Sequence, residues 1–348
     1  MRVAVDVMGG DYGCGVVIEG VKKALENERT LTGVYLVGEE KAVRAAMDQV
    51  KLRDPRVHVV HASEVLGMNE KPVEGLRRKR DCSILKAVEL VKEGICEAVI
   101  SPGNTGGVVA ASAIKLRPLP GVDRPAIATV IPSLNHYFVL LDSGANLDCK
   151  PINLVQYAIM GAVYAREILG YQNPRVGLLN VGTEDVKGTA LLQEAFQLCK
   201  QTKLNFIGNV EGHDLFANRV DVVVCDGFVG NVVLKTCESL ATGILTWLRH
   251  ELSVNPKRMI GALLVRGALR ALRRRMDPEA YGGAPLLGLN GNVMIMHGAS
   301  KAKAMMNALR VTVETLRTRV NHLIAAEIQE AAERLAAVRK SAATPVYA

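Results

Sequence analysis

The chain has 348 residues, 49% hydrophobic, 22% charged and 4% aromatic, with a single Trp. This is the usage of a globular protein with an aliphatic core large enough to need no disulfide staples; it excludes fibrous, disordered and disulfide-framed classes. The net charge of +8 favours acidic partners (anionic lipid, nucleic acid, phosphate compounds or an acidic protein) without choosing among them.

The chain starts MRVAVDVMGGD, a strand pattern rather than a basic region before a long apolar stretch, so no signal peptide is expected. No segment offers about 18 clean apolar residues, and a cytoplasmic protein able to touch a membrane surface is expected. Seven cysteines, an odd number with no C-x-x-C pair, fit reduced thiols in the cytosol.

Short β-branched runs follow in chain order at 2–7, 33–38, 56–61, 97–104, 126–131, 137–142, 175–182, 205–210, 221–227 and 292–298. Helical patterns lie between many of them, at 16–27, 81–93, 151–169 and 190–200. The alternation predicts an α/β fold, a mainly parallel twisted sheet flanked by helices. Five strands run into glycine loops: MGGD (8–11), SPGNTGG (101–107), DSGAN (142–146), NVGTE (180–184) and CDGFVGN (225–231). Ligands of open α/β sheets sit beyond the carboxyl ends of strands, so the five loops are expected to share one anion-facing cleft.

The usual nucleotide signatures are absent. No G-x-G-x-x-G follows the first strand, and NVGTEDVKGT (180–189) carries the lysine and glycine of a Walker A loop in reversed order. The histidines are scattered, no compact metal cluster is read, and no G-x-S-x-G elbow appears. Lys187, among Gly182, Thr183 and Gly188, is the leading candidate for neutralising phosphate or charge on a reacting carbonyl; the alternative is a solvated lysine paired with Glu184 or Asp185. Asn104, Thr105 and Asn231 are phosphate donors or helix caps. His297 is an acid, a phosphate donor or a satisfied strand-end histidine. Asp6, inside the first strand, orients a loop or lysine, or is paired structurally.

Two basic segments stand out. LRRKRD (76–81) is a solvated face or a docking site for an acidic protein; it lacks the aromatic interleaving of a nucleic-acid site. Leu240, Ile244, Leu248 and Leu252 recur every four residues, Pro256 breaks the run, and 257–276 forms a second helix. There Arg266, Arg270, Arg273 and Arg274 cluster opposite an apolar face that includes Leu264 and Leu269. This basic amphipathic hairpin, at 236–276, suits an anionic membrane or a dimer interface. A single Ala-rich helix is expected over 311–340, followed by a frayed tail, SAATPVYA. The predicted organisation is one α/β domain over 1–310 including the hairpin, then a C-terminal helix and tail over 311–348.

The loops together resemble one family. AVDVMGGD (4–11), SPGNTGG (101–107), RPAIA (124–128), LDSGANLDCKP (141–151), LLNVGTEDVKG (178–188), IGNVEGHD (207–214), VVVCDGFVGNVVLK (222–235) and GGAPLLGLNG (282–291) look like the phosphate acyltransferase of bacterial phospholipid synthesis, PlsX. The resemblance implies a Rossmann-like fold similar to phosphotransacetylases. It also implies a reaction: long-chain acyl-acyl carrier protein and inorganic phosphate give acyl phosphate and carrier protein. The acyl phosphate then feeds a membrane acyltransferase acting on glycerol 3-phosphate.

By the same resemblance the protein is a homodimer associated peripherally with membrane, and needs no organic cofactor or metal. The family lysine matches Lys187, and the loops carrying Asp6, Gly9, Gly10, Asn104, Thr105, Asn180, Thr183, Gly227, Asn231 and His297 line the site. Arg77, Arg78, Lys79, Arg80 and the hairpin arginines become docking charges for the acidic carrier protein, and the hairpin becomes the dimer and membrane contact. No nucleic-acid partner is implied. Two departures stand out: MGGDYGC replaces the usual MGGDHAP, and SPGNTGG replaces SAGNTGA. Tyr12 cannot act as a histidine base near neutral pH. The rival readings are a phosphotransacetylase using acyl-coenzyme A, a silent scaffold of lipid synthesis, and a basic RNA-binding protein with steeply salt-dependent affinity.

Overall fold

The computed structural model describes residues 1–276 and 278–343; Asp277 and the end of the tail, 344–348, lie outside the described residues. The strands are β1 (Arg2–Asp6), β2 (Gly33–Gly38), β3 (Val57–His61), β4 (Ala98–Ser101), β5 (Ala126–Pro132), β6 (Tyr137–Leu141), β7 (Val176–Leu179), β8 (Phe206–Val210), β9 (Val222–Val224), β10 (Ala284–Leu287) and β11 (Asn292–Ile295). The helices are α1 (Cys14–Asn27), α2 (Glu40–Val50), α3 (Pro72–Arg78), α4 (Ser83–Lys92), α5 (Thr105–Leu116), α6 (Pro151–Glu167), α7 (Ala190–Cys199), α8 (Gly227–Ser253), α9 (Pro256–Leu264), α10 (Arg266–Arg275), α11 (Ala302–Arg317) and α12 (Val320–Ala343).

All strands join one 11-stranded sheet in the order β3-β2-β1-β4-β11-β10-β5-β6-β9-β7-β8. Strands β3, β2, β1, β4 and β11 are mutually parallel. The direction then reverses at three successive pairings, β11 with β10, β10 with β5 and β5 with β6. From β6 the strands β9, β7 and β8 are parallel again. The sheet is thus two parallel halves running in opposite directions, hinged on β10 and β5.

The two parallel halves are apolar along most of their length because helices cover both faces. β1, β4 and β9 are buried almost end to end. Helix α6 is buried at every residue from 153 to 165, as expected for a helix that is apolar all round. Gly161 lets it approach the sheet: a Cβ there would stand 2.4 Å from Val222 Cγ1. Val320, Ile324, Ile328 and Leu335 of α12 join the same core cluster.

Three expectations are corrected. β10 was not read as a strand: APLL is short, contains Pro and has no alternation. The single helix expected over 257–276 is two, α9 and α10, interrupted at Val265 (φ −93°, ψ 11°). The single helix expected over 311–340 is also two, α11 and α12, separated at Arg319, which turns the chain with a left-handed φ of 54°. In both places a good helix-forming composition hid a turn that needs no glycine.

Candidate active site

At the carboxyl edge of the first half, the loops after β1, β4 and β11 meet. Asp6 is fully buried at the end of β1. Its carboxylate accepts from Ser101 Oγ (2.7 Å) and Met8 N (3.1 Å), while burial pushes its pKa up. Gly9 touches Gly103 backbone to backbone: a Cβ would lie 2.5 Å from Gly103 Cα. Asn104 is spent within the protein. Its Oδ1 accepts from Gly107 N (3.0 Å), capping α5, and its Nδ2 donates to the carbonyls of Gly67, Met68 and Glu70 at 3.0–3.1 Å. Thr105 and His297 are exposed. His297 Nδ1 accepts from Ala299 N (3.1 Å), so the neutral ring carries its proton on Nε2. A shallow cavity lined by Gly10, Tyr12, Pro102, Gly298 and Lys301 opens beside it.

The loops after β6, β9 and β7 form a second group. Asp142, fully buried, gathers the loop that follows β6: Oδ1 accepts from the backbone N of Ile127, Gly144 and Ala145 at 3.0–3.1 Å, and Oδ2 from Asn146 N (2.7 Å) and Nδ2 (3.0 Å). Burial raises its pKa against those bonds. The loop seats the start of α8. Asn146 O accepts from Gly227 N (2.7 Å), and a Cβ on Gly230 would lie 1.9 Å from Asp142 O, so only glycine permits the contact. Asp226 caps α8 by accepting from Val229 N (2.9 Å). Asn231 is exposed one turn further on, against Gly144.

Beside them, the loop carrying Lys187 is held from beneath. Asn180 Nδ2 donates to Lys187 O (3.1 Å), and its Oδ1 accepts from Val181 N (2.8 Å). Gly188, at φ 88°, leaves room for that amide, whose Oδ1 is 2.5 Å from where a Cβ would be. The Lys187 side chain passes over Gly182 and is exposed, as is Thr183. Among the described residues Lys187 makes no ion pair: Asp185, one of the two partners expected of a solvated lysine, is bound to Lys200 at 2.7 Å.

Hydrogen bonds and close approaches gather the expected residues in two groups, and Ala145 of the second group packs against the cluster that holds Val108 of α5. Asp6, Gly9, Gly10, Asn104, Thr105 and His297 stand in the first group. Asn180, Thr183, Lys187, Gly227 and Asn231 stand in the second. From β4 to β7 there are six strand spacings, roughly 29 Å at about 4.8 Å each. Sequence patterning reads strands and loops but not the three reversals at β10 and β5. It also passed over Asp142 and Asn209, whose roles appear only in hydrogen bonding. The acid in LDSGAN was the available signal for the first.

Two thiols near this loop, the half-buried Cys149 and the buried Cys225, are poor nucleophiles. Burial pushes up Cys149, beside Asn146, and Cys225, ahead of α8, well clear of the neutral range; a reactive thiol needs the opposite shift.

Of the basic run, Lys79 is an internal strut bonded to Glu70 and to Val65 O (2.7 Å), which removes it from the docking surface. Arg78 stands 3.9 Å from Glu70, and Arg77 and Arg80 are exposed. The hairpin is longer than expected: α8 starts in the glycine loop itself and projects from it, with only Gly227 and Gly230 buried. By length and composition α8 is apolar enough to cross a membrane, with mean hydropathy 1.2, but its first turn is locked to Asp142. Leu264 is 82% exposed, Trp247 66% and Ile260 64%; Leu269 is half-buried. Arg266, Arg270, Arg273 and Arg274 are exposed on α10.

Among the described residues six carboxylates, Glu39, Asp54, Glu70, Asp81, Asp214 and Asp221, are held below their ordinary values. Arg56 hydrogen bonds hold Asp54 below its usual value of 3.8; at Asp221 burial pushes up but the Arg175 bonds prevail and lower it. A lowered folded pKa gives stability that is complete above the unfolded value and lost as pH falls through the folded one. Asp6 and Asp142, raised, act in the opposite sense, and their change is complete by 3.8. The urea midpoint is expected to fall steeply only below about pH 4, and Arg175→Met should flatten part of that fall.

The family described as "Fatty acid synthesis protein" matches residues 1–323. A phosphate acyltransferase of Akkermansia muciniphila is 45% identical over 334 residues, covering 94% of this chain and 96% of the relative. One of Heliobacterium modesticaldum is 47% identical over 312 residues, covering 89% and 92%. Among solved structures, a phosphotransacetylase from Streptococcus pyogenes superposes with a TM-score of 0.63 at 16% identity, over 90% of this chain and 93% of its own. A branched-chain phosphotransacylase from Enterococcus faecalis gives 0.57 at 14%, over 91% and 99%. The two structures share the fold, and the two sequences carry the rest: the chain belongs to the PlsX family of phosphate acyltransferases, acyltransferases of fatty acid and phospholipid synthesis.

Proposed function

We propose that this acyltransferase takes a long-chain acyl group from acyl-acyl carrier protein and passes it to inorganic phosphate at the loop of Lys187, supplying acyl phosphate for glycerol 3-phosphate acylation. The observation that carries the site is the unpaired Lys187 ammonium, on a glycine loop beside the amino end of α8. The cation itself favours an anion there, while the Gly227 and Val229 N–H groups at the start of α8 are already taken by Asn146 O and Asp226. A phosphate oxygen attacks the thioester carbonyl, the new C–O bond forms, and charge gathers on the carbonyl oxygen. Collapse breaks the C–S bond, and the proton of hydrogen phosphate ends on the leaving sulfur, so the balance needs no enzyme nucleophile and no added base. Lys187 offsets charge on phosphate or on the oxyanion. Gly227, Asn231, Asn180 and Thr183 shape its surroundings. Because phosphate brings that proton, Tyr12 in place of the usual histidine is no obstacle to this chemistry.

The reading extends to assembly. The exposed apolar face of the hairpin, rooted beside the Lys187 loop, supports a homodimer and peripheral attachment to an anionic membrane from the cytoplasmic side. Arg77, Arg78 and Arg80 are the proposed docking charges for the acidic carrier protein.

Trapping acyl phosphate as its hydroxamate tests the donor. Product from palmitoyl-carrier protein is expected well above that from palmitoyl- or acetyl-coenzyme A. Preference for acetyl-coenzyme A would favour a phosphotransacetylase instead, and folded protein inactive with every donor would favour a scaffold. For the hairpin, Arg266, Arg270, Arg273 and Arg274 changed together to Glu should abolish cosedimentation with anionic vesicles, at about 1 kcal/mol per lost basic contact. Unchanged cosedimentation would remove the hairpin from the membrane.

A further inference from the structure

The geometry points to Asn209 as a positioning residue for Lys187, an inference that rests on the reading of Lys187 given above. Asn209 lies on β8, paired with Leu178 across the strand pair, and is 5% exposed. Its Nδ2 donates to Glu184 O (2.9 Å), and that same carbonyl accepts the Lys187 backbone N (3.0 Å). Glu184 O is thus the point where a buried side chain from the edge strand fixes the turn that presents Lys187. The other clamp, Asn180, takes the carbonyl side of Lys187. Between them the two amides define the turn from 184 to 187 at both of its ends.

The other half of the Asn209 amide makes the case for function. Its Oδ1 is buried and has no hydrogen-bond partner, and the bond from Nδ2 fixes which end of the amide is which. A buried acceptor left unsatisfied lowers stability, and such groups in folded proteins call for an explanation. An apolar side chain would fill this position without that loss, but could not hold Glu184 O. Asn209 therefore serves the shape of the loop at some expense of stability, which is the pattern of a residue kept for its effect on a site.

A double-mutant cycle tests this on the full-length protein: wild type, Asn209→Ala, Lys187→Ala and the double variant, with kcat, KM for phosphate and Tm measured for each. With Lys187 present, Asn209→Ala is expected to lower kcat/KM by about 10- to 100-fold, the range for displacing a catalytic group by about an ångström, while Tm is unchanged or higher. With Lys187 already removed, the same change is expected to lower residual activity less than about 2-fold, because a positioning residue has nothing left to position. Asn209→Ser, smaller but polar, repeats the cycle if the alanine variant does not fold. Equal losses in both backgrounds, or a loss that tracks a fall in Tm, overturn the inference and leave Asn209 structural. Near-normal activity in Lys187→Ala alone instead overturns the underlying reading of Lys187, so the two failures are distinct.

Discussion

Lys187→Ala is expected to turn over at no more than about one-hundredth of the wild-type rate, the scale of losing one charge-stabilising group at a reacting carbonyl. Its Tm should be unchanged, since the side chain is exposed and, among the described residues, its ammonium makes no hydrogen bond or ion pair. The backbone that shapes the loop would survive, because Asn180 holds Lys187 O and Asn209 holds Glu184 O, and neither holds the ammonium. Steady-state assay and thermal unfolding on the same preparation check both halves. A variant that keeps more than about half its activity would exclude Lys187 from the chemistry; one that loses activity and unfolds early would make it structural.

Asp142→Ala is expected to have the largest effect on stability. The carboxylate accepts four backbone N–H groups and the Asn146 side chain. The buried Ile127 N–H left without an acceptor costs about 1–3 kcal/mol, and the half-buried donors of Gly144, Ala145 and Asn146 add to it, so the loss should exceed about 1 kcal/mol, read as a lower urea midpoint at constant slope. The same change frees the loop against which Gly227 and Gly230 seat α8, so any folded remainder should also lose turnover. Asp142→Asn, which keeps one acceptor oxygen, should be intermediate. A shift of less than about 1 kcal/mol for the alanine variant would mean that the carboxylate is not the organiser of this loop.

Much of the fold was legible because buried parallel strands and their helices leave strong periodic signals. Ten of the strands follow from β-branched runs such as VVVC, and α6 and α7 from the patterns that precede them. What was not legible depends on partners distant in sequence. β10 is four residues that become a strand only because β11 and β5 flank them. The reversal of the sheet rests on that strand and on the β5–β6 pair, so the division of the glycine loops into two groups was hidden too. The breaks at Val265 and Arg319 carry no glycine or proline, and local propensity reads straight through them.

The candidate site was legible in its loops and in Lys187, less so in how the loops are held. Asn104, read as a phosphate donor or a cap, is a cap whose amide also fastens the 67–70 segment. Lys79, read as a docking charge, is an internal strut because Glu70 folds back to it, a contact nine residues apart that composition cannot show. Asp142 and Asn209 are ordinary in sequence and act only through the carbonyls and N–H groups they meet.

The central claim is that phosphate itself attacks the acyl carbonyl. It is tested most directly with palmitoyl-carrier protein and inorganic phosphate carrying oxygen-18 at every position, with mass measurement of the acyl phosphate formed. The account predicts acyl phosphate that retains all four labelled oxygens, formed by wild type and lost in Lys187→Ala. Acyl phosphate with only three labelled oxygens, or free fatty acid in its place, would mean that another oxygen attacks the thioester and would contradict it.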